Sequence, residues 1–138
     1  MVSLVLVSHS RTLVEGLCDM VAQVAGADVR VTIAGGTEDG RLGTSAPRIA
    51  DALREALGGP GNRADGVLVL LDLGSAALSL ELALEELDPA DRAIVTVSNA
   101  PLVEGAVMAG VQASVGASLA EVARAAADAT SIPKLPEA

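Results

Sequence analysis

The chain contains no Phe, Tyr or Trp, a single cysteine, a single histidine, and half as many basic as acidic residues. Without aromatic rings, Val, Leu, Ile and Ala must fill the whole interior. The usual anchors of protein hot spots, base-stacking platforms and cation–π recognition are missing as well. Lys and Arg number 9 against 18 acidic residues, a formal charge of −9. Binding to a phosphate backbone needs a basic surface, so nucleic acid is not an expected partner. An acidic body favours encounter with basic protein surfaces, or simply keeps the protein soluble. Cys18 has no internal disulfide partner, which fits a reducing compartment, and its apolar helical context reads as packing. One His and one Cys cannot build a common zinc site, so no metal is expected. The longest strand-like apolar run, Val2–Val7, is too short to span a membrane and lacks the basic flank of a signal peptide. A cytoplasmic location without membrane association is therefore expected.

The chain does have alternation. Its 138 residues suit one domain. Val2–Val7 reads as a buried parallel strand followed by the polar turn Ser8–Thr12. Leu13, Leu17, Met20, Val21 and Val24 then recur at helical spacing up to Gly26. Val29–Ile33 reads as a second strand and Gly35–Ser45 as a glycine-rich loop. Ile49, Leu53 and Leu57 mark a second helix. Val67–Leu71 is a strand, Asp72–Ser75 a loop and Leu78–Leu87 a helix. Ile94–Val97, Ser98–Pro101 and Leu102–Ala109 repeat strand, loop and helix. A fifth strand is expected near Gln112–Val115, before a final helix over Leu119–Ala129 and a flexible tail over residues 131–138. Residues 1–130 would form the domain.

This order predicts an α/β fold with three layers, α/β/α, around a mainly parallel sheet of about five strands. In such folds chemistry collects at the carboxyl ends of the strands. The loops there would hold His9, most of the clustered glycines, Asp72 and Asn99. A neutral imidazole is nucleophilic near neutral pH, and nearby helix N-termini would favour an anion. His9 is thus a candidate phosphoryl acceptor; the competing reading is a packing residue. Asp72 could accept a hydrogen bond from one ring nitrogen and leave the other free to attack, or it could cap the following helix. Gly74 and Ser75 would expose backbone amides. Gly35-Gly36-Thr37 and Gly43-Thr44-Ser45 form either a second wall of the pocket or a turn with Ser45 as helix cap. No Walker or dinucleotide glycine pattern is present. Ser8, Ser10 and Ser75 lie near His9, but no Gly-x-Ser-x-Gly elbow accompanies them. Arg11 and Arg41 are the only basic candidates nearby.

Val5-Leu6-Val7-Ser8-His9-Ser10, Gly35-Gly36-Thr37, Gly43-Thr44-Ser45, Asp72-Leu73-Gly74-Ser75-Ala76 and Asn99-Ala100-Pro101-Leu102-Val103-Glu104-Gly105-Ala106 resemble, in order and spacing, the phosphotransfer subunits of bacterial dihydroxyacetone kinases (DhaM). The resemblance extends to about Ala129. It implies the fold of the mannose-type enzyme IIA domains of the sugar phosphotransferase system, and a homodimer. It further implies a phosphotransferase in which His9 takes a phosphoryl group from the phosphocarrier HPr. His9 would pass the group to ADP, with magnesium, held in the kinase subunit DhaL. Asp72 would orient His9, and Gly36, Thr37, Gly74, Ser75 and Ala76 would surround the phosphoryl group. Ser10, Arg11, Thr44, Ser45, Asn99 and Pro101 would contact partners. No cofactor is expected on this chain itself.

Some members continue into HPr-like and enzyme-I-like domains that this chain is too short to contain, so HPr is expected from outside. An asparagine common after the Ser-Ala pair is replaced here by Ala77-Leu78-Ser79-Leu80. The alternatives are a mannose-type enzyme IIA that serves a sugar permease, and a non-catalytic regulatory module.

Overall fold

The computed structural model describes residues 1–136; the last two residues of the expected tail lie outside the described residues. Within the described residues four strands form one parallel sheet: β1 (Val2–Ser8), β2 (Val31–Gly35), β3 (Gly66–Leu71) and β4 (Val95–Val97), in the order β2-β1-β3-β4. Among the described residues six α-helices accompany them: α1 (Arg11–Ala25), α2 (Ala46–Leu57), α3 (Ala77–Glu85), α4 (Pro89–Arg92), α5 (Leu102–Ser114) and α6 (Leu119–Asp128).

Strand geometry sends alternate side chains to opposite faces, and the two faces differ in chemistry. Val5, Val7, Val67 and Val69 pack against α2 and α3. Leu4, Leu6, Leu68 and Leu70 pack against α1, α5 and α6. Every residue of β1 is buried, because this strand is central and covered on both sides. The aliphatic residues thus build two cores and three layers without a single ring. Among the described residues, no helix is long and apolar enough to cross a membrane.

Two expectations are corrected. The sheet has four strands, because the segment near Gln112–Val115 continues α5 to Ser114. Ala106, Ala109, Gly110 and Ala113 share one helical face and are buried. At Gly110 a Cβ would stand 2.9 Å from Val21 Cγ1 and 3.2 Å from Ala25 Cβ. This small-residue face lets α5 lie close against α1, and its burial outweighs the short alternation that resembled a strand. The second strand lies two residues later than expected. Its register pairs Leu4 with Val31 and Ser8 with Gly35, so β2 runs on as far as β1 does.

Gly35 joins the sheet to the start of α1. A Cβ there would meet Val14 Cγ1 at 2.6 Å, Arg11 Cα at 2.7 Å and Ser10 O at 3.1 Å. Two of the three are backbone atoms, which cannot swing away. Gly35→Ala is therefore expected to destabilise the fold by about 1–3 kcal/mol through overpacking. Urea unfolding monitored by circular dichroism checks this; an unchanged midpoint would contradict the close approach of α1 to β2.

Candidate functional site

The strand order reverses direction at β1: the chain leaves it toward β2 on one side and returns to β3 on the other. The loops after β1 and β3 diverge at such a switch point and leave a crevice at the carboxyl ends of the strands. His9 and Asp72 flank it. Val7 pairs with Leu71, and Asp72 N–H donates to Val7 O at 3.1 Å, so the two strands end side by side.

His9 is the one residue between strand and helix cap. β1 ends at Ser8, and Ser10 adopts the extended cap conformation, its side chain accepting from Leu13 N–H at 3.2 Å. The backbone of His9 is held from two directions. His9 N–H donates to Asp72 Oδ2 at 2.9 Å, and Gly43 N–H donates to His9 O at 3.0 Å. The ring has little freedom either: Nδ1 lies 2.9 Å from Asp72 Oδ1, and Nε2 lies 2.9 Å from Ser75 Oγ. The His9 side chain is 22% exposed and that of Asp72 14%. The imidazole is therefore reachable from solvent, while its carboxylate is largely covered.

Asp72 also accepts from Ser8 Oγ at 2.9 Å and from Leu73 N–H at 2.8 Å. Burial pushes its carboxyl upward. The hydrogen bonds from His9 N–H, the His9 ring, Ser8 and Leu73 more than offset this and hold it below the ordinary value. An ionised carboxylate can only accept. The His9 proton must then sit on Nδ1, so the lone pair of the neutral ring is on Nε2, toward Ser75 and the open edge. The Asp72 side chain caps neither the short 3₁₀ turn Gly74–Ala76 nor α3.

The other candidate residues divide clearly. Ser75 is exposed and on the ring; Ala76 is buried, its N–H spent on Leu73 O at 3.0 Å. Gly36 N–H donates to Ser8 O at 3.2 Å, and its φ of 76° is a conformation suited to glycine. The Thr37 hydroxyl is occupied within its own loop, donating to Asp39 and accepting from Arg41 N–H at 3.0 Å. Thr44 Oγ1 meets Ser79 Oγ at 2.7 Å, and Ser45 caps α2 through Arg48 N–H at 3.3 Å. Arg11 and Arg41 are exposed and face Glu15 at 3.6 Å and Asp39 at 3.0 Å. Asn99 and Pro101 line a cavity of about 240 Å³ together with Asp72, Leu73 and Gly74.

Two residues noted in the sequence were not given the roles they have. Ser8 buttresses Asp72, and Gly43 fixes the His9 carbonyl. The Ser8 role had a signal, as a hydroxyl at the end of an apolar buried strand; a buried hydroxyl needs a partner. The Gly43 role had none, because only the folded loop brings its amide to His9.

The family EIIA-man, described as "PTS system fructose IIA component", matches residues 3–123. The chain is 44% identical over 118 residues to the phosphoryl donor subunit DhaM of PEP-dependent dihydroxyacetone kinase 2 from Listeria innocua. That match covers 86% of this chain and 90% of the relative. It is 42% identical over 125 residues to the phosphoryl donor subunit DhaM from Escherichia coli K12, covering 88% of this chain but only 25% of that longer protein. The crystal structure of the protein of unknown function EF1359 superposes with a TM-score of 0.80 at 34% identity, covering 92% of this chain and 93% of the other.

Proposed function

This chain belongs to the EIIA-man family of phosphotransferase-system IIA components and has DhaM phosphoryl donor subunits among its relatives, and from that premise we propose that His9 Nε2 carries a phosphoryl group from one protein to another. The observation that supports this most directly is the ring clamped between Asp72 Oδ1 and Ser75 Oγ, with Nε2 at the accessible edge.

The chemistry follows from that clamp. The Nε2 lone pair attacks phosphorus as the donor's bond to phosphorus breaks. The ring becomes cationic, and the charge is stabilised by the Nδ1–H hydrogen bond to the Asp72 carboxylate. The Ser75 hydroxyl, which meets Nε2 at rest, is then placed to donate to a phosphoryl oxygen. The Gly36, Thr37 and Ala76 amides are taken by Ser8 O, Arg41 O and Leu73 O, so these residues shape the walls of the site. The amides of Gly74 and Ser75 and the N-terminus of α1, which has no acidic residue in its first turn, supply the surrounding suited to an anion. Positioning and charge stabilisation dominate phosphoryl transfer in general. The nitrogen–phosphorus bond retains high transfer potential, which suits a relay.

The donor in this reading is HPr. The recipient is ADP, with magnesium, in the kinase subunit DhaL; this rests on the DhaM subunits among the relatives, one of which is matched over 90% of its length. The acidic chain would meet basic partner surfaces, through residues including Ser10, Arg11, Thr44, Ser45, Asn99 and Pro101. It would act as a homodimer in the cytoplasm.

Incubation with phosphoenolpyruvate, enzyme I and HPr is expected to give a base-stable, acid-labile phosphate on this chain. Addition of ADP-loaded kinase subunit is expected to discharge it. A chain that takes no label overturns the relay; a label that the kinase subunit leaves in place overturns the recipient.

A further inference from the structure

We propose that Ser75 is a second nucleophile of this crevice, whose hydroxyl takes an acyl group from small activated esters with His9 as its base. The absence of a Gly-x-Ser-x-Gly elbow argued against serine chemistry on sequence grounds, but a nucleophile, base and orienting acid are recognised by geometry rather than by motif. Ser75 Oγ stands 2.9 Å from His9 Nε2, and His9 Nδ1 stands 2.9 Å from Asp72 Oδ1. Both distances are those required of a hydroxyl, its base and the group that fixes the tautomer of the base. The carboxylate is tied by three further donors, His9 N–H, Ser8 Oγ–H and Leu73 N–H, so the base is held rigidly.

Ser75 also differs from every neighbouring hydroxyl. Ser8 is spent on Asp72, Ser10 on the cap of α1, Thr37 on Asp39 and Arg41, and Thr44 on Ser79. Ser75 bonds to the imidazole and is exposed. Beside it the cavity of about 240 Å³ runs from Leu73 and Gly74 to Ala100 and Pro101. Its size and partly apolar walls suit an acetyl or similarly short acyl chain.

The reaction balances with the groups present. Ser75 Oγ forms a bond to the carbonyl carbon while its proton passes to His9 Nε2. The Asp72 carboxylate stabilises the imidazolium. The bond from carbonyl carbon to the leaving oxygen breaks, and that oxygen takes the proton from Nε2. An ester of Ser75 remains, and water activated by the freed imidazole hydrolyses it. This activity goes beyond the phosphoryl relay: it shares His9 and Asp72 with it but needs neither a phosphoryl donor nor a kinase subunit. Failure to acylate Ser75 would therefore leave the relay untouched, and a chain that takes no phosphoryl group could still acylate.

The test is incubation of the full chain with p-nitrophenyl acetate, followed by trypsin and mass spectrometry. Trypsin separates the two groups: His9 falls in Met1–Arg11 and Ser75 in Ala64–Arg92. One acetyl group is expected on Ser75 in the second peptide. His9→Ala is expected to slow its appearance about 100-fold, the lower range for loss of a general base. Ser75→Ala is expected to abolish it, and Ser75→Cys to restore acylation through a thiol. Acetyl found only on Met1–Arg11, equal rates in wild type and His9→Ala, or an unreactive but folded Ser75→Cys would each overturn the proposal.

Discussion

His9→Ala is expected to acquire no phosphoryl group after exposure to phosphoenolpyruvate, enzyme I and HPr, under conditions that charge the wild type fully. The chain has no other histidine, so no second imidazole can substitute. The fold is expected to survive the change. Both backbone contacts of His9, its N–H to Asp72 and its carbonyl from Gly43, are available to alanine. The lost ring contacts lie at a site that is 22% exposed rather than in either core. Stability should change by no more than about 1 kcal/mol. Phosphorylation gels and a thermal melt on the same preparation separate the two effects. Undiminished label on His9→Ala would remove the histidine from the mechanism outright.

Asp72→Asn is expected to slow phosphoryl acceptance on the order of 10⁴-fold, the size of tautomer loss at an oriented catalytic histidine. The carboxylate can only accept a hydrogen bond, which keeps the proton on Nδ1 and the lone pair on Nε2. An asparagine amide that turns its nitrogen toward Nδ1 reverses that assignment and withdraws the lone pair from Nε2. A turn of its oxygen toward Nδ1 instead faces its NH₂ against Ser8 Oγ–H and His9 N–H, which are themselves donors. Either way one contact is lost, at a cost of about 1–3 kcal/mol for a part-buried donor without an acceptor.

A pH signature follows. The Asp72 carboxyl titrates below its ordinary value of 3.8 in the folded chain. Its ionised form therefore contributes stability that is fully present above that value and is lost as pH falls through the lower folded value. The difference in melting temperature between wild type and Asp72→Asn should be constant near neutrality and shrink in acid below the ordinary carboxylate range. A difference that does not change with pH would mean that Asp72 acts by shape and not by charge.

Much of this site was legible before folding was considered. A histidine directly after an apolar run, and an aspartate directly after another, each belong at a strand end, and strand ends carry chemistry in parallel sheets. The two readings of Asp72 could not be separated at that level. A carboxylate two residues before a helical turn has the same local spacing whether it caps the turn or reaches a residue 63 positions away. The same holds for Thr37 and Thr44. Their glycine-flanked positions suggest a phosphate cradle, yet their hydroxyls find partners within their own loop and on Ser79. Gln112–Val115 misled for a related reason. Its alternation is local, whereas the burial of Ala109, Gly110 and Ala113 against α1 and the sheet is not.

By itself the sequence determined which residues could be inside, where the first and third strands gave way to loops, and that one imidazole and one carboxylate would stand at strand ends. Those are consequences of periodicity, turn chemistry and the absence of aromatic rings, all short-range properties of the chain. Tertiary structure alone decided that β3 follows β1 in the sheet, with β2 on the other side. That order sets Asp72 beside His9, opens the crevice between their loops, and swings Ser75 onto the second ring nitrogen. Strand order is settled by how helices cover the two faces of the sheet, a balance of burial over the whole chain that no local pattern encodes.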